Sequence, residues 1–129
     1  MNRNKKISLF IFFCLTQYLI DSHQNPCTTN IGECLLLFHH FVSGYIYLGG
    51  FLFNPLYHLI FCTIVLIHWI TNNHKCELTV ITNKYCEYQE NNLFNDILKI
   101  TNISNIYINI HWYLLPALIF YDLYKILNL

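Results

Sequence analysis

The chain has 129 residues, 55% of them hydrophobic and only 11% charged, with a formal net charge of zero when its seven histidines are neutral. One domain is all that such a length holds, and ordinary soluble domains carry about 25% charged residues, so the composition excludes a typical water-facing surface and predicts lipid as the solvent. Basic residues cluster only at Arg3, Lys5 and Lys6, which leaves no electrostatic basis for binding nucleic acid.

The chain begins MNRNKK and continues into the apolar run ISLFIFFCLTQYLI, residues 7–20. A positive segment followed by about 14 apolar residues is the profile of a secretory signal peptide or a signal anchor. The stretch around its end, QYLIDSHQN, has no A-x-A-like cleavage site. An uncleaved anchor, or first span, is the favoured reading.

Residues 21–33, DSHQNPCTTNIGE, form a polar loop. Residues 34–53, CLLLFHHFVSGYIYLGGFLF, follow; as a helix this run is about 30 Å long, one bilayer crossing. Ser43, Gly44, Gly49 and Gly50 are small residues of the kind that let helices approach closely in lipid. Asn54-Pro55 breaks the run, because the residue before proline is pushed out of the α region and proline suits the first turn of the next helix. Residues 56–70, LYHLIFCTIVLIHWI, supply a shorter span. Residues 34–79 therefore read as a transmembrane helical hairpin ending in a polar, cysteine-bearing loop.

Residues 71–105 are the long polar region. Within them NNLFNDILKI places Leu93, Phe94, Ile97 and Leu98 on one helical face, which predicts a short amphipathic helix on the membrane surface or capping the bundle. The preceding CELTVITNKYCEY has some β character and is too short to assign. Residues 106–127, IYINIHWYLLPALIFYDLYKIL, form the last span, with a kink predicted at Pro116. Tyr107, Trp112 and Tyr113 toward one end, with Tyr121 and Tyr124 toward the other, suit interfacial belts. Asp122 and Lys125 are spaced to pair on one helix face. The expected fold is all-α: a single integral membrane bundle of about four transmembrane helices (7–20, 34–53, 56–70 and 106–127), with one amphipathic surface helix.

Arg3, Lys5 and Lys6 put the N-terminus in the cytoplasm, and four crossings return the C-terminus there. Loops 21–33 and 71–105 then face the exterior or lumen. Cys14 and Cys62 fall inside spans, while Cys27, Cys34, Cys76 and Cys86 face the oxidising side. Four cysteines there allow two disulfides in three connectivities. The local pairs Cys76–Cys86 and Cys27–Cys34 are favoured, with unpaired thiols as the competing reading. Asn102-Ile103-Ser104 fits the glycosylation sequon but lies almost against the last span.

Histidines are the main chemical lead. His39, His40, His58, His68 and His111 all fall within spans, where ionisable groups are costly and often functional. Neutral imidazoles from opposed helices can ligate haem or a metal. His68 and His111 each precede a tryptophan at similar depth and form the best-placed pair, with His58 ten residues from His68 on the same helix. The competing and favoured reading is hydrogen bonding between helices or interfacial placement. Thiol redox chemistry lacks a C-x-x-C pair, nucleophilic catalysis lacks G-x-S-x-G or a Ser-His-Asp arrangement, and phosphate loops are absent. A channel would need a polar-faced span, for which the hairpin offers only His39, His40, Ser43 and Thr63.

His39 or His40, Gly49-Gly50, His58, Trp69, Cys76-x-Leu78-Thr79 and Leu115-Pro116 occur in an order of their own. In this the chain, over roughly residues 34–120, resembles a bacterial family of small multi-span membrane proteins of unknown function, whose pattern is H…Gly-Gly…H…W…C-P-L-T-x-x-E with a Leu-Pro step in the terminal span. Glu77 stands in place of the proline and Thr82 in place of the glutamate, and the arginines that tend to follow are missing. The resemblance implies a fold without an activity.

The expected function is non-enzymatic: a structural, accessory or assembly subunit without a cofactor, whose partners are the lipid bilayer and other membrane proteins or further copies of itself. The alternative is a His-ligated haem or metal redox protein using His68, His111 or His58. The candidate functional cluster is His68, Trp69, Cys76, Leu78 and Thr79, closed by His111 and Trp112 from the last span.

Overall fold

Asn2 opens the first helix, α1 (Arg3–Gln24), by accepting a hydrogen bond from the Lys5 N–H. The architecture is that of a computed structural model describing residues 1–107 and 109–128. Thr29 caps α2 (Asn30–Leu52) by accepting from the Gly32 N–H, so the second helix starts four residues before the apolar run at Cys34. Asn54 caps α3 (Pro55–Thr71), accepting from the Leu56 N–H, and Pro55 occupies its first turn. These caps satisfy N–H groups that a helix end leaves without partners. Then come α4 (Glu77–Tyr85), the single turns α5 (Ile97–Ile100) and α6 (Ile103–Ile106), and α7 (Ile110–Leu127), which continues through Pro116. All regular structure among the described residues is helical.

The four long helices run up, down, up and down. Phe10 of α1 meets Phe53 just past the end of α2 edge-on, at 5.4 Å between ring centroids. Near the other end of the same helix pair Tyr18 donates to Glu33 at 2.6 Å. Trp69 of α3 meets Trp112 of α7 at 5.8 Å, and His58 meets Asp122 toward the opposite end. One end of the bundle thus holds the start of α1, the end of α7 and the Asn54-Pro55 turn; we call it the turn end. The other, the loop end, holds residues 25–29, 72–107 and 109.

At about 1.5 Å per residue, α2 with 23 residues outreaches α3 with 17 and α7 with 18. Both start or finish together at the turn end, so α1 and α2 overhang at the loop end. There α4 docks on α2 and α5 docks on α1.

The distribution of side chains is inverted relative to a water-soluble bundle. Gln17, Asp21, His39, His40, Ser43, His58 and Asp122 are buried between the long helices. Leu9, Phe12, Leu19, Phe38, Phe51, Ile60, Ile64, Ile67, Ile70 and Phe120 are exposed on their outer faces. Taken by length and apolar composition alone, α2 is the one helix among those described that could cross a membrane; α3 is apolar but shorter. Gln17 and Asp21 in α1, and Asp122 and Lys125 in α7, lower the apolar character of the outer pair.

Several expectations are corrected. The amphipathic helix over residues 91–100 shrinks to the single turn Ile97–Ile100, because Asp96 acts as its N-cap and accepts from the Lys99 N–H at 3.1 Å. Residues before it run as irregular chain, with Asn95 and Asp96 buried. The stretch with β character is instead helix α4. The last helix starts at Ile110 rather than 106.

The disulfide joins Cys27 to Cys86, with Cα atoms 4.5 Å apart; Cys34 and Cys76 are free. Neither local pair forms. Cys76 and Cys86 stand at opposite ends of α4, about 15 Å apart by helical rise, beyond the reach of a disulfide. Cys34 sits one turn into α2 and is exposed, while Cys27 lies in the loop before it. Gly32 makes the observed bond sterically possible, since a Cβ there would lie 2.4 Å from the Cys27 sulfur.

Candidate functional site: buried acid–imidazole pairs

The inward face of α2 collects three acids from three different segments, each paired with an imidazole. Nearest the turn end, His58 of α3 faces Asp122 of α7, Nδ1 to Oδ2 at 2.5 Å, with both side chains wholly buried. The other ring nitrogen, Nε2, lies 2.9 Å from the Ile46 carbonyl of α2. Gly49 and Gly50 make the room: a Cβ on Gly49 would sit 2.4 Å from the His58 ring, and one on Gly50 would sit 2.4 Å from Asp122 Oδ1. Lys125, one turn beyond Asp122, donates to the Gly50 carbonyl at 2.8 Å. The expected Asp122–Lys125 pairing is therefore replaced by two bonds across the bundle.

His58 has an acceptor on each side of its ring. A neutral imidazole has one N–H and can serve only one of them. Serving both the carboxylate and the carbonyl would take one proton more than neutral His58 and ionised Asp122 together.

Closer to the loop end, Asp96 descends on its irregular segment into the bundle. Its Oδ2 accepts from the Tyr47 hydroxyl of α2 and lies 2.8 Å from His111 Nε2 of α7. Burial by itself would raise the Asp96 carboxyl pKa. The His111 and Tyr47 hydrogen bonds, the charge of His111 and the Lys99 backbone N–H outweigh it, and hold the carboxyl below its ordinary value. In the third pair His40 Nε2 of α2 lies 2.9 Å from Asp21 Oδ2 of α1, again fully buried. Phe94 covers it, stacking on His39 at 3.5 Å and tilting against His40 at 4.6 Å.

Under the loop end a cavity of about 10 Å³, close to the size of one water, is bordered by Asp21, His39, Thr79, Thr82, Asn83 and Asn95. Beside it, Tyr88 donates to the Asn25 carbonyl at 2.5 Å. Burial, then the nearby charges of Asp21 and Glu33, push the Tyr88 phenol up to about 12.

The residues singled out by sequence meet in two groups. Trp69 and Trp112 contact each other, and His74 packs edge-on against Trp112 at 4.6 Å. His68 Nε2 accepts from the Glu77 N–H at 3.2 Å and so anchors the start of α4. Cys76 lies apart from these, 3.9 Å from His39 Nε2. Thr79 borders the small cavity, and Leu78 is half-buried, its carbonyl accepting from Thr82. His111 faces Asp96, away from His68's partner.

His58, His68 and His111, the ligands of the haem or metal alternative, each make hydrogen-bond contacts of their own. Nε2 of His68 is taken by the Glu77 N–H, that of His111 by Asp96, and both ring nitrogens of His58 are engaged. Among the described residues no group of three or more His, Cys, Asp or Glu is arranged to hold a metal ion. Cys62 Sγ lies 3.3 Å from His58 Nε2, which places a thiol, an imidazole and an acid in line. But Cys62 is wholly buried and that nitrogen already faces a carbonyl, so the trio has neither an accessible nucleophile nor a free base.

The acids were the partners that sequence reasoning missed. The sequence places Asp21 in a loop, Asp96 on a surface helix and Asp122 in a local ion pair, whereas each faces an imidazole across the fold. The available signal is an acid within or beside a span for three of the histidines, His40, His58 and His111. Comparison of the chain with family models, with curated proteins and with solved structures finds no match.

Proposed function

We propose that the chain is an integral membrane protein of four spans, α1, α2, α3 and α7, that acts without catalysis as a structural, accessory or assembly subunit. The observation that carries this reading is the inverted side-chain distribution: acids and imidazoles inside, leucine, isoleucine and phenylalanine outside. A bundle solvated by hydrocarbon needs its polar groups satisfied internally and its ionisable residues facing the interior. In water the same exposed surface would drive aggregation.

Arg3, Lys5 and Lys6 at the turn end favour the cytoplasm for both termini and for Asn54-Pro55. The Cys27–Cys86 bond at the loop end supports an oxidising exterior or lumenal side there. In this reading α1 is retained as the first span, since it contributes Asp21 and the packing of Phe10. The bundle's partners are lipid and other membrane proteins or further copies of the chain. Its outer ring of exposed apolar side chains supplies the contact surface.

Membership in the small multi-span family of the H…Gly-Gly…H pattern is part of the proposal. Two of its elements meet in space, Gly49-Gly50 against His58, and the tryptophan of the pattern packs on Trp112. Such contacts give the spacing of the pattern a physical purpose.

Alkaline carbonate extraction of membranes from expressing cells tests the proposal. The chain should stay with the pellet. Release into the supernatant as a peripheral or soluble protein would refute it.

A further inference from the structure

His40, Ser43, Tyr47 and Gly50 are spaced three, four and three residues apart, which puts them on one face of α2. From His40 to Gly50 that face covers about 15 Å. Ionisable groups meet it at three levels. At His40 stands Asp21 from α1; at Tyr47 stand Asp96 from the irregular segment and His111 from α7; at Ile46 and Gly50 stand His58 from α3, then Asp122 and Lys125 from α7.

Between and beside these levels lie polar atoms that are buried and find no hydrogen-bond partner among the described residues: Ser43 Oγ, His39 Nδ1, His40 Nδ1 and Asp122 Oδ1. Asp122 Oδ1 points at the backbone of Gly50. Buried ion pairs are only a weak source of net stability. Apolar replacement of a buried ion pair is often neutral or stabilising, and intramembrane ionisable residues mark ion pathways and proton relays.

Resting on the membrane-spanning reading above, we propose that this row is a proton path through the bundle, with Lys125 and Asp122 at the cytoplasmic end, the Tyr47–Asp96–His111 group between, and Asp21 and His40 toward the exterior. The carried species is a proton rather than an alkali cation. Each acid is already closed by an imidazole, which can take and give a proton but leaves no carboxylate pair to coordinate a metal. The His58–Asp122 pair is the holding site. Its added proton sits between Nδ1, Nε2, the carboxylate and the Ile46 carbonyl, with the Cys62 thiol and the Tyr45 ring edge as its remaining neighbours. Release in either direction moves one proton and leaves neutral His58 with ionised Asp122, so the proton count balances without any co-reactant.

The test uses the full chain purified into liposomes that trap a pH-sensitive dye, with a potassium gradient and valinomycin to set the membrane potential. Carbonate-resistant association with the liposomes is scored in the same samples. The proposal expects inserted wild-type protein to move protons faster than protein-free liposomes move them. Asp122→Asn should return the rate to the protein-free level, and Asp122→Glu, which keeps an acid in place, should retain flux. Inserted wild-type protein with only the protein-free rate would overturn the proton path and leave the membrane reading standing. Flux unchanged in both Asp122→Asn and Asp21→Asn would overturn it as well. Failure of the wild type to insert would overturn both readings.

Discussion

Gly50 and Asp122 stand so close that a methyl group on the glycine would lie 2.4 Å from a carboxylate oxygen. Replacing glycine by alanine inside a helix ordinarily gains about 1 kcal/mol. Here the methyl has to displace a buried acid held by His58, and overpacking a filled interior costs about 1–3 kcal/mol. Gly50→Ala should therefore lower the unfolding midpoint in detergent. A rise would mean that the glycine is not holding a cradle.

The His58–Asp122 contact predicts strong non-additivity. Removing one member of a buried pair strands the other and costs about 3–5 kcal/mol. His58→Leu and Asp122→Leu should each be severely destabilising, and the double variant far less so than their sum. A double-mutant cycle by denaturant unfolding measures the difference. Additive losses would show that the two side chains do not depend on each other.

Non-reducing peptide mapping should recover one bond, Cys27 to Cys86, with Cys34 and Cys76 open to alkylation. The bond closes a loop of 59 positions, for which chain entropy gives about 4 kcal/mol of stabilisation. Reduction, or Cys86→Ala, should lower stability by an amount of that order. Recovery of Cys76–Cys86 or Cys27–Cys34 peptides would contradict the packing of α4 against α2.

Two groups at the loop end set opposite pH limits. The Asp96 carboxyl is held below its ordinary value, so its contribution is present above the unfolded pKa of about 3.9 and is lost as pH falls through the folded value. Tyr88 is raised to about 12 from 10; its neutral phenol is fully accommodated below pH 10, and stability falls as pH rises from there toward 12. Thermal unfolding against pH should show the acid loss in the wild type, with a shallower slope in Asp96→Asn. Ultraviolet titration should find the Tyr88 phenol ionising late, as the difference between the wild type and Tyr88→Phe. A Tyr88 that titrates with the exposed phenols would contradict its burial.

Elements set by local signals were legible in the sequence. Asn54-Pro55 gave the α2–α3 corner, the apolar runs gave the long helices, and the tryptophans of His68-Trp69 and His111-Trp112 do come together. What escaped depends on long-range packing. Cys86 finds Cys27 only because α4 folds back on α2. Asp96 enters the bundle because Tyr47 and His111, 49 and 15 positions away, both reach it. Lys125 looked like the partner of Asp122 at helical spacing, but a fully buried imidazole competes better for that carboxylate than a side chain able to reach a free carbonyl. Composition predicts lipid, and the proposed membrane reading gives the buried polar residues their place inside.

Sided labelling of thiols tests the four-span account most directly. Cys34 is free and exposed near the start of α2, and Asn54 is exposed just beyond its end. On sealed cells a membrane-impermeant maleimide should label Cys34 from outside in a Cys76→Ser background. In a background carrying both Cys34→Ser and Cys76→Ser, Asn54→Cys should react only after the membrane is opened. Labelling of both positions from the same side would mean that α2 does not cross the bilayer, and the account would fall.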